Sequence, residues 1–119
     1  MIVNAGLNLD RNWLYGDSVN PPSHIAIGTG TSQVLATQTA LENEVLRKAI
    51  SGKSKPATGQ VLFEVEIGTN EANGYALTEV GLFNDATAGD MISRVVHPAI
   101  NKTSDFSLKY QIIIKNRRP

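Results

Sequence analysis

Two histidines, His24 and His97, and four carboxylates, Glu42, Glu44, Asp85 and Asp90, are the residues whose types could do acid–base or metal chemistry. Their spacing argues against it. Neither histidine belongs to a His-x-His or Glu-x-x-His pattern, the spacings that put two ligands on one face of a strand or helix. Nothing brings the carboxylates to the separation glycoside hydrolysis needs, and acids beside turns are ordinarily solvated. Gly28-Thr-Gly-Thr resembles a phosphate cradle but lacks the further glycine and the lysine of a P-loop, so a tight turn is expected. No Gly-x-Ser-x-Gly elbow exists, and with no cysteine there is no thiolate nucleophile, thiolate metal site or disulfide. The expectation is a non-enzymatic protein with no catalytic, cofactor-binding or metal residues.

Charges inside apolar runs carry more information. Arg47, Glu79 and Arg94 each interrupt a stretch that otherwise reads as buried. An isolated charge is costly to bury, so a structural ion pair is expected. Arg94 is the first choice for Glu79, because a short connection joins their strands, and Arg47 is the second.

The elements that must position these residues are mostly strands. Gln60–Ile67 places Val61, Phe63, Val65 and Ile67 on one face, and Phe106–Ile114 does the same with Phe106, Leu108, Tyr110, Ile112 and Ile114. Period-two alternation marks half-buried antiparallel strands. His24–Ile27, Glu44–Ile50, Tyr75–Phe83 and Met91–His97 read as further strands. Asn84–Asp90 makes a hairpin connection, Ser51–Gly59 a polar tip, and Pro98 a strand end. Residues Val3 to Tyr15 put Val3, Leu7 and Leu14 at helical spacing, with Trp13 beside that stripe and expected to pack. Asn4 is expected to cap the start and Gly16 the end, while Gly6 weakens the helix by roughly 1 kcal/mol against alanine. The expected architecture is a mainly β, small antiparallel β-sandwich of about six strands with one N-terminal helix. It forms a single domain over residues 1–119, with residues 1–16 as helix and docking arm and 115–119 as a basic tail. Phe63, Val65, Leu82, Ile112 and Ile114 are its expected core.

Composition narrows the partners. With 119 residues and 41% hydrophobic content the chain can bury a core without covalent staples. Eleven basic residues balance eleven acidic ones, so no global field draws nucleic acid or an anionic membrane. No apolar run approaches the roughly twenty residues that span a bilayer, so no membrane insertion is expected. Met1-Ile-Val-Asn-Ala-Gly lacks a basic segment followed by an apolar stretch, and cleavable export is not expected.

In order along the chain, Ala5-Gly-Leu-Asn-Leu, His24–Thr31, Thr39–Ile50, Thr78–Phe83 and Arg94–Ile114 resemble the small tail-fibre or tail-collar-like structural proteins of tailed bacteriophages. The resemblance covers nearly the whole chain. It implies a virion structural protein, assembled in the host cytoplasm, as a tail, fibre-attachment or collar component. Such a protein works through symmetric contacts with other virion proteins and with copies of itself in a trimer or ring. Capsid decoration, or a carbohydrate- or receptor-binding sandwich contacting a host-surface glycan, is the alternative. For sugar stacking the aromatics not committed to the core are Trp13, Tyr15 and Tyr75. The residues expected to contact partners are Ile2, Leu9, Trp13 and Tyr15 near the start, and Lys115, Arg117 and Arg118 near the end.

Overall fold

The alternating runs are strands. The computed structural model describes residues 1–116. In chain order these form α1 (Asn4–Tyr15), β1 (His24–Gly28), β2 (Glu44–Ala49), β3 (Gly52–Ser54), β4 (Gln60–Ile67), β5 (Ala76–Phe83), β6 (Met91–Asn101) and β7 (Leu108–Lys115). One sheet has the order β2-β1-β5-β6 and the other β3-β4-β7, with every pairing antiparallel. The fold is thus the expected antiparallel sandwich, with seven strands among the described residues rather than about six. The additional strand, β3, lies in the segment read as a polar tip and pairs with Leu62–Glu64. Its composition hides it, because two of its three residues are exposed and no apolar face shows in the sequence. β6 also runs through Pro98 to Asn101; Pro98 lies where the β5–β6 register shifts between Leu77 and Glu79, and such an irregularity on an outer strand tolerates a residue with no amide to donate.

The core lies between the sheets. Ile25 and Ile27 from β1, Leu77, Val80 and Leu82 from β5, and Ile92 from β6 meet Phe63, Val65, Ile67 and Ile112 of the second sheet. Ile114 packs against this core but stays partly exposed. A smaller cluster of Val3, Ala26, Leu41, Phe83 and Met91 covers the opposite face of the first sheet.

The helix docks differently from the expected stripe. Val3 is fully buried, yet Leu7 and Leu14 are exposed, and the helix meets the sheet through Gly6 and the half-buried Leu9. A Cβ on Gly6 would lie 2.4 Å from the Ile92 carbonyl oxygen, so helix and strand approach as closely as they do only because that position is glycine. Asn4 is not the cap. Val3 holds that position without a side-chain hydrogen bond, and the Asn4 amide instead donates to Ala36 O at 2.8 Å. Gly16 ends the helix in the left-handed conformation at φ 104°, as expected.

The residues before α1 are part of the sheet. Val3 N donates to Ile92 O at 3.1 Å, Arg94 N donates to Met1 O at 3.0 Å, and the Met1 amine donates to Arg94 O at 3.0 Å. They cover the outer edge of β6 over its first residues.

Two substitutions test this packing. Phe63→Ala is expected to lower stability by about 3–5 kcal/mol, read from chemical denaturation. Gly6→Ala is expected to destabilise by about 1–3 kcal/mol through overpacking, although alanine is the better helix former. An unchanged or raised thermal midpoint in Gly6→Ala would show that the helix does not sit this close.

Candidate functional site

The charged residues singled out in the sequence converge on one cluster. Arg94 Nε donates to Glu79 Oε1 at 2.9 Å, and both side chains have no exposed surface. Glu79 on β5 also accepts the amides of Glu42 at 2.9 Å, Asn43 at 2.8 Å and Gly30 at 2.7 Å. Arg94 on β6 donates through Nη1 to Ser32 O at 3.0 Å and to Gln38 Oε1 at 3.3 Å. All of these except the ion pair itself reach into the segment 29–43, which contains no helix or strand.

Gly28-Thr-Gly-Thr is where the sequence was nearest to a second reading. Its backbone does cradle an anion, and the anion is the chain's own Glu79 carboxylate. A Cβ at Gly28 or Gly30 would stand 2.6 or 2.5 Å from Glu79 Oε2, so glycine at both positions lets the backbone close over it. Burial pushes the Glu79 carboxyl upward. The Asn43 and Glu42 amides, the Arg94 guanidinium and the Gly30 amide outweigh that and hold it below the usual glutamate range.

Arg47, the second choice for Glu79, pairs elsewhere. It bonds Glu44 at 2.6 Å, donates to the carbonyls of Asp85 and Ala88, and lies 3.7 Å over the Phe83 ring. It therefore ties β2 to the β5–β6 connection. The remaining carboxylates are dispersed. Glu42 accepts from the Ser32 hydroxyl and from the Thr31 and Ser32 amides, which together hold its carboxyl low. Asp85 and Asp90 lie in the β5–β6 connection. His24 Nδ1 is 2.7 Å from Ser23 Oγ. His97 Nδ1 donates to Pro98 O at 2.8 Å, leaving Nε2 to accept from Tyr110 OH at 3.0 Å, and burial raises the Tyr110 hydroxyl to about 12. Among the described residues no group of three or more His, Asp or Glu side chains is placed to hold a metal ion.

The surface with unspent apolar area is at α1. Trp13 is 64% exposed, Leu14 71% and Tyr15 85%, and Leu7 is exposed as well. Trp13, expected to pack, does not, because the close approach at Gly6 turns the helix so that its 7, 13 and 14 positions face outward. Beside the helix lies an open apolar groove of about 520 Å³, with Ile2, Leu9, Trp13, Val61, Ile92 and Ile114 on its walls. Three of the expected contact residues, Ile2, Leu9 and Trp13, therefore share one surface, and Tyr15 lies at the end of the same helix. Lys115 is exposed at the end of β7, and Arg117 and Arg118 lie outside the described residues. Tyr75 is exposed just before β5. No family model matches the chain, and no curated protein matches it.

A double-mutant cycle tests the cluster. Glu79→Gln is expected to cost about 3–5 kcal/mol and more than Arg94→Met. The first strands a buried guanidinium, whereas the second leaves the carboxylate with three amide donors. The two should couple by about 0.5–3 kcal/mol, and simple additivity would show that the pair is not the unit of stability. The pH dependence follows from the direction of the shift. Glu79 titrates lower when folded, so its contribution is complete above the unfolded value of 4.5 and is lost as pH falls through the folded value. The thermal midpoint should therefore drop on acidification below about pH 4.5, with a shallower acid limb in Glu79→Gln.

Proposed function

We propose that this protein is a non-enzymatic structural subunit of a tailed-phage particle, a tail, fibre-attachment or collar component, working through symmetric protein–protein contacts made by its N-terminal helix. The observation that carries the contact is the set of exposed apolar side chains on α1, Leu7, Trp13, Leu14 and Tyr15, of which Leu7 and Trp13 also line the groove with Ile2 and Leu9. Exposed apolar side chains gathered on one helix beside an apolar groove are a common mark of an interaction surface. The sequence resemblance supports the virion setting. In a ring or trimer one modest contact is repeated at every subunit, so small per-copy energies add up to a stable assembly. A second reading, a glycan- or receptor-binding sandwich, draws on the same exposed aromatics, since Trp13 and Tyr15 could stack on a sugar ring.

The test is a triple variant, Leu7→Ser, Trp13→Ala and Leu14→Ser, all at exposed positions. It should keep its thermal midpoint within about 3 °C of the parent, because little buried area changes. It should nonetheless be missing from purified particles when it is the only copy supplied. Normal incorporation of that variant, with loss of host-surface binding from changes in Ser51–Gly59 or Asn84–Asp90, would favour the second reading.

A further inference from the structure

Among the described residues, each sandwich edge except one is guarded. β3 is three residues long, and β2 carries Glu44, Arg47 and Lys48 within six residues. The edge of β6 is covered by Met1–Val3 over its first part and interrupted by Pro98 further on. Short strands, charges, proline and a covering segment are the known ways of blocking unwanted strand pairing. β7 has none of these along its centre. It is the outer strand of its sheet, runs eight residues, and keeps an unbroken register with β4 from Gln60↔Lys115 to Ile67↔Leu108. Its two lysines, Lys109 and Lys115, stand near its ends, and Ile113 between them is 46% exposed on the outer face.

We infer that β7 is a strand-pairing edge whose partner is β7 of a second copy of this chain, joining two three-stranded sheets into one six-stranded antiparallel sheet about a two-fold axis at Gln111. The register follows from the chain itself. Inward-facing Leu108, Tyr110, Ile112 and Ile114 must meet inward-facing residues of the copy, so the axis passes through a residue and not between two. An axis at Ile112 sets Lys109 opposite Lys115 twice, a like-charge pairing that opposes association. An axis at Tyr110 pairs Ile113 and Ile114 with Ser107 and Phe106, which lie outside the strand. The axis at Gln111 leaves neither fault. Leu108 then faces Ile114, Tyr110 faces Ile112, and the two Gln111 amides oppose each other. Lys109 lies across from Ile113, where its aliphatic stem covers the exposed isoleucine. This contact is separate from the helix surface and stands whether or not the chain belongs to a particle.

The chain's lack of cysteine makes the register directly readable. Gln111→Cys, Ile113→Cys and Leu14→Cys, all at exposed positions, are each oxidised under native conditions and run on a non-reducing gel. In this register two Cys at 111 are directly opposite, about 4.5–5.5 Å apart at Cα, inside the range a disulfide spans. Two at 113 are offset by four residues, about 13 Å, beyond that range. Gln111→Cys should therefore cross-link at least about tenfold faster than Ile113→Cys, and the cross-linked dimer should keep the parent's strand content. Equal rates at all three positions, or cross-linking through Leu14→Cys alone, would overturn the proposal, the latter leaving the helix contact standing. Wild-type protein should sediment at twice the monomer mass as concentration rises, and backbone amides of β7 should gain exchange protection over the same range. A monomer at millimolar concentration would overturn it as well.

Discussion

The carboxylate of Glu79 and the guanidinium of Arg94 share a fully buried hydrogen bond, and the long loop between β1 and β2 is fastened to that pair. The fifteen residues from Thr29 to Asn43 have no regular structure of their own, a length at which an unsupported loop is uncommon in a compact domain. Three of their amides end on Glu79, and a carbonyl and a side-chain amide end on Arg94. With the loop held there, Leu41 can close the smaller apolar cluster, and Ala36 O can receive the Asn4 amide at the head of the helix. Arg94 joins the third party through its backbone, which exchanges two hydrogen bonds with Met1. Sheet, loop and N-terminal segment thus meet at one residue.

Such a pair is weak evidence for stability in itself. Desolvating two charges is expensive, and well-packed apolar residues often serve as well or better. Here the cost is visible, since Arg94 Nη2 is buried without a partner among the described residues. What the charges supply is direction. Apolar contacts alone would let a loop of this length settle in several ways over the sheet. A carboxylate needing three amides and a guanidinium needing carbonyls accept only one arrangement, because every alternative strands a buried charge.

The strands were legible because each buries one face against the opposite sheet. Val61 to Ile67 and Leu108 to Ile114 alternate for that reason, whereas Phe106, read into the same run, lies before the strand, and the Glu79–Arg94 pairing could be inferred because a hairpin connects two runs that each contain a charge. The ends of elements were less legible. β6 passes through Pro98 because it is an outer strand, and outerness is a property of topology that no local window contains. The helix was placed correctly and turned wrongly. Val3, Leu7 and Leu14 form the better stripe by hydrophobicity, but contact distance decides the docking, and Gly6 permits a closer approach than any larger side chain. A glycine within an amphipathic helix was the available signal, and it reads as a weakness only when propensity is considered alone. The carboxylate cradle was hidden for a similar reason. Its donors are backbone amides from two ends of one loop, and no side-chain motif announces them.

The distribution of polarity in the finished fold runs against what stability alone favours. A glutamate and an arginine are fully buried, while a tryptophan, a tyrosine and two leucines of one helix stand in water. Replacing the buried pair by well-packed apolar residues would often be neutral or stabilising for an isolated chain, and the proposed contact at α1 gives the exposed apolar side chains a use. The buried pair holds the loop and N-terminal segment that seat α1, and α1 carries the exposed apolar side chains outward on a rigid element instead of a mobile tail. Rigidity matters because a surface that is already ordered loses less entropy on association than one that must fold as it binds. Equal numbers of acidic and basic residues remove net repulsion between copies. On the proposed assembly reading, an internal charge pair that costs stability and an external apolar face that gains nothing alone form one device: the first fixes the geometry in which the second would be matched by a partner.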